Sequence, residues 1–358
     1  MSLITTPVTQ LLGIQHPILL AGMGQTSGAP LAAAVSNAGG LGVIGGVGYT
    51  PKMLREMIDE LKAELKDPSL PFGVDLLIPQ VGGNARKTNL DYTKGNLDEL
   101  VDIIIAGGAK LFVSAVGVAP RHVVDKLHKH GVLYMNMIGH PKHVHKACQA
   151  GADIICAQGG EAGGHTGDTA TSVLIPACAD IVKNYTSPLT GQPVHLVAAG
   201  GIYDGRGIAA ALMLGASAVW VGTRFVTAQE SGAPEAAKRA IIAADFDSTI
   251  KSTIWTGRPL RALATPYVRN WEANRRDEIL ELQSRGIIAL HHEMEKLEKV
   301  GGITEEIEDQ STLRPMGQVA GLVNTPNQTA AEIVAEMMDG AVKVLSSAAG
   351  YLRPSAKL

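Results

Sequence analysis

Apolar and polar positions fall in alternating blocks along the first two thirds of the 358-residue chain. Residues 18–22, 42–45, 72–77, 111–116, 132–138, 153–159, 194–201 and 218–225 form eight short stretches nearly continuous in Val, Ile, Leu, Ala or Met. Parallel strands covered on both faces need such unbroken runs, whereas a half-exposed strand alternates. Between them, residues 31–37, 51–66, 97–106, 121–129, 142–150, 173–183 and 206–214 carry apolar side chains at helical spacing, separated by polar faces. Pro51 and Pro120 stand where a first-turn proline belongs. Eight strands alternating with helices predict an α/β fold, a (β/α)8 TIM barrel over residues 1–228; a doubly wound sheet is the alternative built from the same blocks.

The pattern changes after Phe225. Residues 229–315 are rich in charge, and 277–300 read as one amphipathic helix, so a smaller C-terminal helical domain is expected there. Residues 316–349 combine a Gly/Pro-rich stretch with an amphipathic helix over 329–345 that is expected to return and pack on the barrel as its last helix. Residues 350–358 read as a tail. Residues 78–93 are polar, glycine-bearing and without period, a long loop after the third strand of the kind that barrels keep at active sites.

Composition narrows the partners. With a net charge of -3 and no clustered basic stretch, no nucleic-acid partner is expected. The most apolar stretch, 103–120, is interrupted by Lys110 and by glycines, so no membrane span is expected. The three cysteines, Cys148, Cys156 and Cys178, show no CxxC spacing, which argues against a disulfide framework or zinc site and for a reducing compartment. The start of the chain shows no basic flank followed by an apolar run, so no secretory signal is expected. Ala356, Lys357 and Leu358 are a near variant of the tripeptide that a peroxisomal import receptor reads. The expected location is therefore peroxisomal in a eukaryote and cytoplasmic otherwise. The reading also allows a homo-oligomer.

In a barrel, chemistry sits at the C-terminal ends of the strands. There the chain places Ala21-Gly22-Met23-Gly24, Asp75, Ile138-Gly139, Gln158-Gly159, Gly200-Gly201 and Gly222-Thr223-Arg224. The glycine pairs after strands seven and eight occupy the positions of a barrel phosphate site. One helix terminus contributes only about 0.3–1 kcal/mol toward an anion, against about 1.5–3 kcal/mol for a hydrogen bond to a charged group, so several amides must converge. Residues 158–167 surround His165 with glycines. Its imidazole, with an ordinary pKa near 6.5, makes it the candidate base, and the glycines let backbone run against a flat ligand. His140, His143 and His145 diverge at a helix start without a carboxylate or cysteine at ligand spacing, so no metal is expected. No GxSxG elbow, P-loop or dinucleotide fingerprint is present.

These residues resemble the nitronate monooxygenase family, formerly called 2-nitropropane dioxygenases. The likeness covers most of the chain and rests on His16-Pro17-Ile18, Ala21-Gly22-Met23, Ala38-Gly39-Gly40-Leu41-Gly42, Pro71-Phe72-Gly73-Val74-Asp75 and Glu161-Ala162-Gly163-Gly164-His165. It continues through Ala199-Gly200-Gly201-Ile202, Asp204-Gly205-Arg206-Gly207, Leu214-Gly215-Ala216, Gly222-Thr223-Arg224-Phe225 and Gly257-Arg258-Pro259. The resemblance implies an FMN enzyme on a TIM barrel with a small helical domain. By it, Ala21, Gly22 and Met23 line the isoalloxazine, and Asp75, Gln158, Gly163 and Gly164 approach the flavin. Gly200, Gly201, Gly222 and Thr223 hold its phosphate, His165 is catalytic, and Gly317-Gln318 close the site. Asp75 stands where many relatives have Asn, and a carboxylate donates no hydrogen bond unless protonated. Met137 replaces the lysine of a quinone-reducing branch.

The implied reaction takes a small anionic nitronate, propionate 3-nitronate for example, with O2 to a carbonyl compound and nitrite, with His165 removing the α-proton if neutral nitroalkanes are also substrates. The alternatives are an FMN-dependent NADH:quinone or enoyl reductase on the same frame, a flavin-free isomerase or aldolase acting on a sugar phosphate, and a non-catalytic phosphate-binding module.

Overall fold

The computed structural model describes residues 4–351. The tripeptide at 356–358 lies outside the described residues. Eight parallel strands make the central sheet: β1 (Ile18–Leu20), β2 (Gly42–Gly46), β3 (Phe72–Leu77), β4 (Leu111–Ala115), β5 (Leu133–Ile138), β6 (Ile154–Gln158), β8 (His195–Ala199) and β9 (Ala218–Val221). A two-residue strand, β7 (Gly164–His165), lies outside this sheet. Around the sheet each strand pairs with its neighbours in chain order, and β1 pairs with β9. The remaining gap is closed by a parallel bridge between Leu19 and Leu41, with Leu20 donating to Leu41 O and Leu41 to Ile18 O, both at 2.9 Å. A doubly wound sheet would reverse order at a switch point; this ring has none, and it is a TIM barrel.

Both faces of the strands are mostly apolar because one faces the barrel interior and the other the helices. Leu19, Val43, Val113, Met135, Cys156, Val197 and Trp220 pack inside. Leu20, Ile44, Val74, Phe112, Tyr134, Ile155 and Val219 pack outward against the helical layer. The N-terminal segment contains a helix that the periodicity did not reveal, Pro7–Leu12, opened by a capping box between Thr6 and Thr9. Its Val8 and Leu12 join the interior cluster. Six residues are too few to display a helical period.

Beyond the barrel, helices are present as expected, and so is a sheet that the apolar pattern did not show. Strands β10 (Thr249–Ser252) and β11 (Leu260–Leu263) form an antiparallel pair, and β11 also pairs with β7. Lys251 and Arg261 fall inside these four-residue strands and mask their alternation. Residues 277–300 are not one helix but two, Arg276–Ser284 and Ala289–Lys299. The chain turns between them at Gly286, whose φ of +81° is left-handed. The turn brings Ile279, Leu282 and Ala289 around Trp271, with Arg275 stacked 3.5 Å over its ring. The helix Ala330–Ala348 contributes Ile333, Val334, Met337 and Ala341 to the barrel's outer core. Among the described residues, no helix is long and apolar enough to cross a membrane.

Candidate active site

His165 leaves the barrel on the glycine loop after β6 and is fixed as a strand residue, paired with Leu260 of β11. Gln158 Nε2 donates to its carbonyl at 2.5 Å. Its Nε2 lies 3.0 Å from Thr256 Oγ1, and that hydroxyl oxygen also accepts from the Arg258 amide at 3.3 Å. When the Thr256 hydroxyl donates to Arg258 O, Nε2 carries the proton shared with Thr256 and Nδ1 keeps its lone pair. Burial, and then the charge of Arg258, lower the imidazole pKa to about 4. At neutral pH the ring is uncharged and able to accept a proton.

Asp75 points from β3 into the barrel, in register with Gly45 of β2 and Val113 of β4. It is 2% exposed, and its Oδ1 has no hydrogen-bond partner. Burial pushes its pKa up to about 8, so at neutral pH it is a carboxylic acid with a proton to donate. This meets the condition that an Asp in place of Asn raises. Gly22 arches over it: a Cβ at Gly22 would sit 2.3 Å from Asp75 Oδ2, so any side chain there collides with the acid.

Gly200 and Gly201 follow β8 with φ of +89° and +75°, a double left-handed turn open to glycine without strain. The amides of Gly200, Gly201 and Gly222 donate to no protein acceptor among the described residues. A Cβ at Gly222 would lie 3.4 Å from the Ala21 Cβ and 3.5 Å from Met23 Sδ, so these three residues meet at the mouth. Thr223 is tied elsewhere: its hydroxyl oxygen accepts from Gly317 N at 3.0 Å. That bond and the Gln318 amide donating to Glu161 O at 2.9 Å bring residues 316–318 onto the loop after β6. Gly163 is a contact point of that segment, since a Cβ there would meet Met316 C at 2.6 Å; Gly164 has open space on that side.

No local pattern marks Thr256 or Arg258 as a site residue, although Arg258 belongs to Gly257-Arg258-Pro259, and none marks Arg86, Asn89 or Tyr92 on the long loop after β3. Arg258 is half-buried; its Nε donates to Asn89 Oδ1 at 3.0 Å and Nη1 to Val116 O at 3.2 Å. Arg86 Nη1 donates to Gly257 O at 3.4 Å. The unusual length of the loop was a signal; its register against residues 256–258 was not readable.

A model of the nitronate monooxygenase family matches residues 5–340. The chain belongs to the nitronate monooxygenase family. Relatives at comparable identity carry different activities in their names. A Mycobacterium tuberculosis (3aS,4S,5R,7aS)-5-hydroxy-7a-methyl-1-oxo-octahydro-1H-indene-4-carboxyl-CoA dehydrogenase is 34% identical over 97% of this chain and 91% of its own length. A probable nitronate monooxygenase of Staphylococcus saprophyticus is 32% identical over 74% of this chain and 80% of its own. Among solved structures, FabK from Thermotoga maritima superposes with a TM-score of 0.78 at 30% identity, covering 98% of this chain and 100% of that one. A nitroalkane oxidase from Streptomyces ansochromogenes does so at 0.76 and 27%, covering 95% and 99%.

Nitronate monooxygenase family members are flavoenzymes, and this chain is an oxidoreductase of that kind. The mouth suits such a group on its own evidence. Three unengaged amides stand at neighbouring strand ends, an orphaned acid lies beneath a glycine arch, and small residues line the rim. Among the described residues, no three His, Cys, Asp or Glu side chains gather as a metal site.

Proposed function

We propose that the protein binds FMN in the barrel mouth and oxidises small anionic alkyl nitronates, propionate 3-nitronate among them, with O2 to carbonyl compounds and nitrite. The observation that carries this reading is an uncharged imidazole beside a guanidinium that has no carboxylate partner among the described residues. A neutral base can accept a carbon-bound proton, and an uncompensated cation favours a substrate that arrives carrying a negative charge. FMN supplies the electron acceptor and the reaction with oxygen. The amides of Gly200, Gly201 and Gly222 are the donors for its phosphate. Ala21, Gly22 and Met23 form the rim against its ring, and Asp75 offers a proton from below. Arg258 draws the anion in, and His165 receives the α-proton when the substrate is a neutral nitroalkane.

The CoA dehydrogenase relative supports a second reading, because its likeness runs the length of both chains. There the carbon acid is a thioester and His165 plays the same part. A visible spectrum of the purified protein comes first, with flavin absorbance expected. Anaerobic mixing with propionate 3-nitronate, a saturated acyl-CoA and NADH follows, then oxygen uptake. Rapid bleaching and oxygen uptake with the nitronate are expected. Bleaching by the acyl-CoA or by NADH alone transfers the assignment to a dehydrogenase or reductase, and a colourless protein that rejects added FMN ends both readings.

A further inference from the structure

Arg258 is held with unusual care for a residue with no acidic partner. Two of its three guanidinium nitrogens are committed, to Asn89 Oδ1 and Val116 O. The Val116 carbonyl is presented by a valine at φ +68°, a left-handed conformation that costs a β-branched residue of order 1–3 kcal/mol and persists only when the surroundings impose it. Among the described residues Nη2 makes no hydrogen bond, and neither Arg258 nor Arg86 forms an ion pair. Arg86 is anchored to Gly257 O, the residue before Arg258, and its positive charge acts against that of Arg258. Two like charges placed together, one half-buried and both without a counter-ion, are unfavourable until an anion joins them. Guanidinium forks match oxyanions, which accept two parallel N–H bonds.

We infer that Arg258 and Arg86 form a clamp for an oxyanion that the substrate carries at a distance from its reacting carbon. The ligand class is a small carbon acid with a second anionic group, a carboxylate on a short substrate or a phosphate on a nucleotide-bearing one. This rests on His165 marking the reacting carbon, as proposed above. The clamp then selects among carbon acids by what they carry at the far end, a choice that the glycine-rich rim has no charge to make.

The test compares propionate 3-nitronate with propyl-1-nitronate, which lacks the carboxylate, in the holoenzyme. Arg258→Met is expected to lower the ratio of kcat/KM values, carboxylated over uncarboxylated, at least tenfold. Arg86→Gln, an exposed change that removes one long hydrogen bond, is expected to lower it about threefold and keeps the proposal testable if Arg258→Met does not fold. Calorimetric titration with succinate and with inorganic pyrophosphate gives a readout independent of turnover and separates the two sources. At least one of these anions is expected to bind wild type and to lose affinity tenfold in Arg258→Met, or threefold in Arg86→Gln. A wild type that oxidises neither nitronate defeats the proposed function but leaves the clamp to be judged by these titrations. An unchanged selectivity ratio with unchanged anion affinity overturns the clamp. So does an equal loss on both nitronates, which would place the arginines on the nitronate group itself.

Discussion

Two carboxylates are buried in this barrel, and they are treated in opposite ways. Asp153, at the N-terminal end of β6, is wholly enclosed. Its Oδ2 accepts from Tyr134 N at 2.7 Å and lies 2.9 Å from His128 Nε2, and its Oδ1 accepts from Ser187 Oγ at 2.5 Å. Asp75, deep in β3 toward the other end, is as buried but leaves Oδ1 without a partner. A buried polar atom left unpaired costs about 1–3 kcal/mol, so a chain that satisfies one acid fully and abandons the other is divided by task. The barrel floor is completed by the protein itself, whereas the mouth is left to be completed by a ligand.

Substitutions at the two ends are expected to separate activity from stability. The largest effect is His165→Asn in the mouth: turnover of neutral nitroalkanes falls by about 10²–10⁴-fold, the usual contribution of a general base, while nitronates, already deprotonated, are affected much less. Steady-state oxygen uptake on both substrate forms checks it, and an equal loss on both would remove the base role. Because burial and Arg258 lower the imidazole to about pH 4, the wild-type profile of kcat/KM for neutral nitroalkanes should rise through pH 4 and be flat above 6. A limb near 6.5 would mean a solvated ring.

Next in size is Asp153→Ala on the floor, which strands a buried amide and a buried hydroxyl together. A loss of about 3 kcal/mol is expected, read as a fall in the urea midpoint at unchanged slope. A loss under about 1 kcal/mol would show that the floor does not depend on this acid.

A third substitution sharpens the contrast through pH. Below about pH 4 Asp75 is protonated in both folded and unfolded chains. Between about 4 and 8 the unfolded chain ionises while the folded one keeps its proton, so stability falls as pH rises, and above about 8 the loss is complete. Asp75→Asn has no such penalty. In the flavin-free protein its advantage over wild type should grow by up to roughly 1 kcal/mol per pH unit between 4 and 8 and then level. A pH-independent difference would mean that Asp75 has a partner in solution.

The sequence alone determined the alternation of strands and helices, because strand and helix periods are local and each block carries its own. It also determined which strand ends hold glycine and that a single imidazole follows the sixth strand. Tertiary structure decided what those residues face. Thr256, which contacts His165, is 91 positions away in the chain, and Arg258 is anchored by Asn89 and Val116, 169 and 142 positions away. Asp75 is legible in sequence as a strand-end residue and, by resemblance, as a neighbour of the flavin standing where many relatives have Asn. Only closure of the ring shows it buried, protonated and unpaired, because a proton's affinity and a hydrogen bond's absence depend on neighbours that no local pattern records.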